Sequence, residues 1–171
     1  PIRLYNAGSG ECFGESAEGG ASEADAFRPR SPYAVAKSAA FWQVANYREA
    51  YDLFACSGIL FNHESPLRPE RFVTRKVVRA VARIKEGSGE TLELGNLSVA
   101  RDWGAAEEYV VAMHAMLSRD VAADFVIATG EAHTLEVFVA TAFELAGLDW
   151  KDHVRVNDSL FRPTDIKYGC G

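Results

Sequence analysis

Two side chains that could do chemistry together stand in the stretch RSPYAVAKSAAF, residues 30–41. Tyr33 and Lys37 are four residues apart, and residues at this spacing share one face of a helix, so both can point into the same cleft. A nearby ammonium group favours the phenolate form of tyrosine, which then acts as a general base. Ordinary amphipathic helices also contain this spacing, so the pair alone leaves both a catalytic and a structural interpretation open.

A second candidate is the glycine-rich stretch NAGSGECFG, residues 6–14, which follows an apolar run typical of a strand. It contains the hydroxyl of Ser9 and the carboxylate of Glu11, and its glycines let the backbone approach a ligand closely. A plain turn is the alternative interpretation. Together with an activated tyrosine, these groups suit a dehydrogenation that is coupled to an elimination. One group would take a hydroxyl proton, another a carbon-bound proton, and a third would hydrogen-bond the reacting oxygen.

The third candidate is the stretch GILFNHESPLRPERFVTRK, residues 58–76, which follows a predicted buried strand. His63 could be an ordinary loop histidine, and Arg68, Arg71, Arg75 and Lys76 could form a solvated basic face. Guanidinium groups in this position would also suit the recognition of a diphosphate by paired hydrogen bonds.

The elements that must position these groups alternate between strands and helices. Ser31 is a good N-cap and Pro32 suits the first helical position, so a helix is predicted from there to about Ala50. Val77, Val81 and Ile84 form one apolar stripe of a second helix. This second helix is predicted over 72–87, and two further helices over 105–119 and 134–147. Four more strands are predicted at 58–62, 91–95, 124–130 and 153–157, and an exposed loop at 15–27. This order predicts an α/β fold with a largely parallel sheet, and ligands in such folds bind beyond the carboxyl ends of the strands.

Composition narrows the class of protein. The chain has 171 residues, enough for one ordinary domain, and 48% of them are apolar. Its formal net charge is -6 and it has no basic run, which argues against a nucleic-acid partner. No apolar run reaches the roughly 20 residues of a membrane span. Cys12, Cys56 and Cys170 show no CxxC spacing and no metal-ligand pattern, so we expect reduced thiols in a cytoplasmic protein.

Several longer motifs, taken in order, resemble one family, the GDP-mannose 4,6-dehydratases of the extended short-chain dehydrogenase/reductases. The resemblance covers nearly the whole chain. The motifs are SPYAVAK, NYREAYDLFACSGILFNHESP, RFVTRKVVRAVARI, LGNLSVARDWG, YVVAMHAML, DFVIATGEAHTLEVFV and FRPTDI.

The resemblance implies the later part of a Rossmann-type parallel sheet, followed by a smaller C-terminal substrate-binding α/β region. Residues 1–62 would belong to the NADP-binding domain and carry the catalytic residues. Residues 63–171 would mainly bind the GDP-sugar, with segments that return to the Rossmann sheet. Because the sequence contains no GxxGxxG motif after a first strand, we expect a fragment that lacks the glycine-rich part.

The resemblance also implies an activity, the conversion of GDP-mannose to GDP-4-keto-6-deoxy-mannose with NADP as cofactor and no net redox change. The residues at matching positions fall into three groups. The catalytic group is Ser9, Glu11, Tyr33 and Lys37, and the cofactor-binding group is Tyr33, Lys37, His63 and Arg68. The substrate-binding group is Asn62, Val73, Lys76, Arg101, Arg162 and Asp165.

Two alternatives remain open at this point. One is a related NADP-dependent sugar-nucleotide reductase or epimerase, in which Glu11 would have no elimination to assist. The other is a truncated, non-catalytic partner that assembles with longer subunits. The loop GSGECFG also departs from the family pattern STSELYG, although the hydroxyl and the carboxylate keep their two-residue spacing. A homo-oligomer, dimer or tetramer, is expected for the full-length protein by the same resemblance.

Overall fold

The computed structural model describes residues 2–161 and 164–171. Strands and helices alternate along these residues. The strands are β1 (Leu4–Ala7), β2 (Ala55–Leu60), β3 (Asn62–Glu64), β4 (Leu92–Leu94), β5 (Ala100–Ala105), β6 (Phe125–Ile127), β7 (Ala132–Thr134), β8 (Val154–Val156) and β9 (Tyr168–Gly169). The helices are α1 (Pro32–Tyr51), α2 (Val73–Lys85), α3 (Ala106–Leu117) and α4 (Leu135–Leu145). The predicted α/β class is confirmed.

A parallel sheet with the order β1-β2-β6 forms the first part of the fold. Leu4 pairs with Ala55, and Gly58 pairs with Phe125. All six residues of β2 are buried because strands lie on both sides of it and α1 and α3 pack against it. Since all three strands run in the same direction, the segments after β1 and β2 meet at one edge of the sheet.

Helix α1 begins as the sequence predicts. The Ser31 hydroxyl accepts a hydrogen bond from the Ala34 N–H at 3.0 Å, and Pro32 occupies the first helical position. The helix ends at Tyr51, one residue beyond the predicted end, where Asp52 adopts the left-handed conformation with φ 52°. The start of the helix places Tyr33 in its first turn.

The strand predicted over 58–62 is wrong in its limits. The chain leaves the first sheet at Leu60 and enters a second sheet at Asn62, where β3 pairs with β5 in parallel. The first three residues of β2, Ala55–Ser57, were missed because alanine and serine are not typical strand residues, although all three are buried within the strand. Strands β5, β7 and β9 complete the second sheet, and none of them was predicted.

A separate apolar core lies between α2, α4 and the two-stranded sheet of β4 and β8. The predicted stripe of α2 is confirmed, since Val77, Val81 and Ile84 are all buried in this core. They pack with Val139 and Phe143 of α4, which are fully buried. The division of the chain into domains at residue 62 stays a proposal.

The loop at 15–27 is only partly the exposed segment that its composition predicts. Ala21 is buried, and it packs with Phe27, Phe13 and Phe61 in a second apolar cluster beneath the first sheet. The three cysteines are free and buried, as expected.

Across residues 2–161 and 164–171, none of the helices has the length and apolar character needed to cross a membrane. The same residues contain no group of three or more side chains that could hold a metal ion.

Candidate active site

A cleft of about 550 Å³ opens where β1 and β2 end. Seven of the residues that the sequence analysis selected line it, namely Ser9, Glu11, Tyr33, Asn62, His63, Arg68 and Arg101. These residues come from separate stretches of the sequence, and the carboxyl ends of parallel strands bring most of them together. The cleft therefore lies where the sequence analysis predicts the site, at the ends of the first two strands.

The loop after β1 presents Ser9 and Glu11 from a short 3-10 helix, Gly10–Phe13. The hydroxyl of Ser9 caps this helix by accepting the backbone N–H of Glu11 at 3.3 Å. The carboxylate of Glu11 accepts a hydrogen bond from the hydroxyl of Ser31 at 3.3 Å. Ser31 therefore contacts both the start of α1 and the carboxylate, a role that its pattern as an N-cap did not reveal.

Tyr33 and Lys37 lie on the same side of α1, as their spacing predicts. Tyr33 is about half exposed and lines the cleft, and the Lys37 ammonium lies 5.7 Å from the centre of its ring. The Lys37 ammonium also donates a hydrogen bond to the carbonyl of Ala7 at 2.9 Å. Lys37 thus joins the end of β1 to the tyrosine, beside the cleft rather than in its lining.

His63 and Arg68 also line the cleft. Nδ1 of His63 lies 2.9 Å from the carbonyl oxygen of Phe61. The Arg68 guanidinium lies 3.8 Å from the centre of the Phe72 ring, and its Nε is 3.2 Å from the carboxylate of Glu64. That Nε–H is buried without a hydrogen-bond acceptor among residues 2–161 and 164–171. The arrangement holds a cation at the cleft, beside the carboxylate of Glu64.

Arg101 carries the second cation in the lining, at the start of β5. Its guanidinium donates to the carboxylate of Asp165 at 2.9 Å and to the carbonyl of Ala100 at 2.9 Å. Asp165 therefore orients Arg101, although Asp165 itself does not line the cleft.

Two other predicted substrate-binding residues are placed differently. Val73 is the first residue of α2 and is partly exposed. The Lys76 ammonium donates to the carbonyl of Glu93 at 2.6 Å. Neither is in the cleft lining. Arg162 lies outside the residues that the structure describes.

Sequence reasoning missed several lining and supporting residues. Phe72, Ile166 and Gly169 line the cleft, and Glu64 links Arg68 to α2 by accepting a hydrogen bond from Thr74 at 2.8 Å. The four-residue spacing of Glu64 and Arg68 could have indicated their ion pair. The contacts of Ile166 and Gly169 depend on strand pairing across more than 60 residues, which no local pattern reveals.

The fold and the site together define the class of protein. A parallel sheet, a tyrosine and lysine on the helix beside it, and a hydroxyl–carboxylate loop at the strand ends are those of a Rossmann-type short-chain dehydrogenase/reductase. Residues 1–171 match the sequence model of the GDP-mannose 4,6 dehydratase family, and the chain belongs to that family.

Individual relatives agree with this assignment. The chain is 53% identical over 165 residues to GDP-mannose 4,6 dehydratase 1 of Arabidopsis thaliana, covering 96% of this chain and 45% of the relative. It is 45% identical over 184 residues to GDP-mannose 4,6 dehydratase of Homo sapiens, covering 98% of this chain and 50% of the relative. The chain spans about half the length of these curated relatives.

Solved structures with the same fold include two proteins with a bound nicotinamide cofactor. MoeE5 in complex with UDP-glucose and NAD matches with a TM-score of 0.84 at 26% identity, over 98% of this chain and 55% of the other. RMD from Pseudomonas aeruginosa complexed with NADPH matches with a TM-score of 0.87 at 24% identity, over 98% and 56% of the two chains. The second likeness shows the fold alone.

Proposed function

We propose that the protein containing this chain is a GDP-mannose 4,6-dehydratase, which converts GDP-mannose to GDP-4-keto-6-deoxy-mannose. The observation that carries the proposal is the meeting of Ser9, Glu11 and Tyr33 in one cleft, in a chain of this family. Oxidation at C4 followed by loss of water across C5 and C6 needs a base for a hydroxyl proton and a second base for a carbon-bound proton. A tyrosine and a carboxylate in one cleft supply these two bases.

The chain's own residues divide the proton transfers between them. Tyr33 takes the proton of the 4-hydroxyl group, and the hydroxyl of Ser9 hydrogen-bonds the oxygen that becomes the 4-ketone. The ketone acidifies the C5–H bond, and Glu11 removes this proton. The C6 hydroxyl takes up the proton that Glu11 removed and leaves as water, which gives a C5–C6 double bond conjugated to the ketone. A hydride added to C6 and the proton held by Tyr33, returned to C5, complete the product.

The bound nicotinamide cofactor would supply the hydride chemistry, accepting a hydride from C4 and returning it to C6. The residues present fit such a group. Arg68 lines the cleft, and guanidinium groups bind phosphate oxygens well. His63, Lys37 and Tyr33 would hold the nicotinamide nucleotide. We propose NADP as the cofactor, and titration of the full-length protein with NADP and with NAD discriminates between the two.

The GDP-sugar would lie against the second sheet. Asn62 and Arg101 line the cleft there, and the Arg101 guanidinium is held by Asp165, so its remaining N–H groups can meet a diphosphate. We include Val73, Lys76, Arg162 and Asp165 in the proposed substrate site on family resemblance alone.

The proposal extends to the setting of the enzyme. We propose a cytoplasmic protein that assembles as a homo-oligomer, with no nucleic-acid partner and no membrane partner. The free, buried state of all three cysteines supports a reducing compartment.

Glu11 separates the dehydratase from the alternative of a reductase or epimerase. In the full-length protein, we expect Glu11→Gln to lose dehydration while binding NADP with unchanged affinity, because Gln cannot remove the C5 proton. Tyr33→Phe should lose turnover because oxidation at C4 stops. Ser118→Ala, a hydroxyl loss at the end of α3, serves as the matched control and should keep wild-type turnover. Retained turnover in both Glu11→Gln and Tyr33→Phe contradicts the mechanism, and a wild-type full-length protein without turnover favours the non-catalytic assembly partner.

A further inference from the structure

Behind the His63 wall of the cleft lies a tyrosine that the proposed mechanism does not use. Tyr109, in the first turn of α3, is 3% exposed, and its ring stacks on the imidazole of His63. The ring centres are 4.7 Å apart and the planes are 25° from parallel. This contact covers one face of the imidazole and restricts the tilt of the ring.

A second contact sets the tautomer of His63. Its Nδ1 lies 2.9 Å from the carbonyl oxygen of Phe61, and a carbonyl oxygen can only accept a hydrogen bond. Nδ1 must therefore carry a proton, so a neutral imidazole has its lone pair on Nε2. Because His63 lines the cleft, Nε2 is the polar atom of the ring that is left for a ligand.

The place of the Tyr109 ring depends on Gly104. Gly104 is the residue of β5 that pairs with His63 of β3. A Cβ atom at Gly104 would lie 2.5 Å from Cε2 of Tyr109 and 3.1 Å from the Thr129 methyl group. The missing side chain of Gly104 thus leaves the space in which the Tyr109 ring reaches His63.

The ring of Tyr109, rather than its hydroxyl, supports the imidazole of His63. The hydroxyl oxygen is buried and has no hydrogen-bond partner within the described residues. Burial raises the pKa of Tyr109, and the carboxylate of Asp102 raises it further, so the hydroxyl stays neutral. A phenylalanine would keep the stacked ring and lose only an unpaired polar group.

We propose that Tyr109 is a positioning residue that, with the Phe61 carbonyl, holds His63 as the Nδ1–H tautomer with Nε2 ready to accept a hydrogen bond. The ligand group that would bind there is an N–H or O–H donor of the nicotinamide nucleotide. This identification of the ligand rests on the proposed function. The support of the imidazole by Tyr109 and Gly104 does not.

The tautomer is measured directly on the full-length protein labelled with 15N-histidine, by long-range 1H–15N correlation. The missing signal in His63→Gln assigns the residue. In the wild type at a pH where His63 is neutral, we expect the pattern of the Nδ1–H tautomer. Tyr109→Phe should keep this pattern, whereas Tyr109→Leu should show a mixture of both tautomers, because nothing then holds the ring in plane with the Phe61 carbonyl.

Cofactor affinity provides the second readout. Tyr109→Leu should weaken NADP binding about fivefold, the value of one poorly placed hydrogen bond, and Tyr109→Phe should stay within about twofold of the wild type. The matched control is Tyr5→Leu, which removes another tyrosine whose hydroxyl is buried and unpaired but which packs on Gly58 away from the cleft. It should leave NADP affinity unchanged.

Each result decides the inference. An Nε2–H pattern in the wild type overturns it even if Tyr109→Leu does not fold. An unchanged tautomer and affinity in a folded Tyr109→Leu protein, or a fivefold loss in Tyr109→Phe, also overturns it. A wild type that binds neither NADP nor NAD overturns the identification of the ligand, and the tautomer then decides the support of the imidazole. None of these measurements uses GDP-mannose. A protein with the expected tautomer and affinities but no dehydratase turnover would refute the proposed function and leave this inference standing.

Discussion

Ser31 connects the stability of the fold to the chemistry of the site, and substitutions at this one position can separate the two. Its hydroxyl accepts from the Ala34 N–H at 3.0 Å and donates to the Glu11 carboxylate at 3.3 Å. Ser31→Ala removes both hydrogen bonds. Loss of an N-cap costs about 1 kcal/mol of unfolding free energy. For a protein of this size or larger, this corresponds to a fall in Tm of roughly 2–4 °C.

The contact with Glu11 is long and exposed, so we assign it about 1 kcal/mol at most. If that energy serves to orient the carboxylate toward C5, Ser31→Ala should lower kcat about fivefold. Ser31→Thr keeps both hydrogen bonds and should restore both properties. Ser31→Asp keeps the cap but places a second carboxylate beside Glu11, and a like charge at about 4 Å costs about 1 kcal/mol in water. Glu11 is exposed and can rotate away from this charge, so Ser31→Asp should have close to wild-type stability and a kcat as low as that of Ser31→Ala.

The assay combines thermal unfolding of the full-length protein with steady-state turnover of GDP-mannose. We expect Tm to fall only in the variant that loses the N-cap hydrogen bond, and kcat to fall in both variants that lose the hydrogen bond to Glu11. A Ser31→Asp protein with wild-type kcat would refute the reasoning about Glu11. A Ser31→Thr protein as impaired as Ser31→Ala would refute the assignment of both hydrogen bonds.

Two further predictions concern buried polar groups. Asp102 is fully buried and accepts hydrogen bonds from the N–H and hydroxyl of Thr129 and from the N–H of Gly130. Asp102→Asn turns an acceptor into a donor that faces other donors, so urea unfolding should show a loss of about 2 kcal/mol. The exposed Asp149→Asn should change the unfolding free energy by less than about 0.5 kcal/mol, and equal losses would contradict the account. Burial raises the pKa of Tyr5 from 10.0 to about 12, so the native state keeps a proton that the unfolded state loses. The resulting contribution to the free energy of unfolding is present below pH 10 and declines as the pH rises toward 12. Urea unfolding of Tyr5→Phe at several pH values should show a smaller decline than the wild type. An unchanged pH dependence would contradict the burial of the hydroxyl.

The elements that could be predicted from the sequence are those whose signals are local. Ser31 and Pro32 predicted the start of α1 because capping is a property of neighbouring residues. Val77, Val81 and Ile84 predicted the buried face of α2 because they share one side of a single helix. The approximate positions of five strands followed from short apolar runs, and the edge at which the cleft lies followed from the parallel direction of the first strands.

The elements that could not be predicted depend on pairing between distant residues. Strand β5 contains Arg101 and Asp102, whose charges conceal a strand, and the structure compensates by pairing or hydrogen-bonding both. Strand β9 is two residues long and exists only because it pairs with β5. The stacking of Tyr109 on His63 likewise follows from the register of β3 and β5, since this register brings α3 behind the cleft.

The same distinction applies to the candidate site. The residue types and spacing of Tyr33 and Lys37 left a structural interpretation open, and only the juxtaposition of Tyr33 with Ser9 and Glu11 in one cleft supports catalysis. Lys37 shows what spacing alone does not reveal. Besides lying near the Tyr33 ring, its ammonium donates a hydrogen bond to the carbonyl of Ala7, a contact that the four-residue spacing does not indicate.

The central claim is that hydrogen leaves C4 of the sugar and returns to C6 of the same molecule while water is lost. It is tested most directly with GDP-mannose that carries deuterium at C4, incubated with the full-length protein and a catalytic amount of NADP. Mass spectrometry and NMR of the product should show the loss of one water and deuterium at C6. Deuterium that accumulates in the cofactor, or a product that keeps its C6 hydroxyl group, would contradict the account.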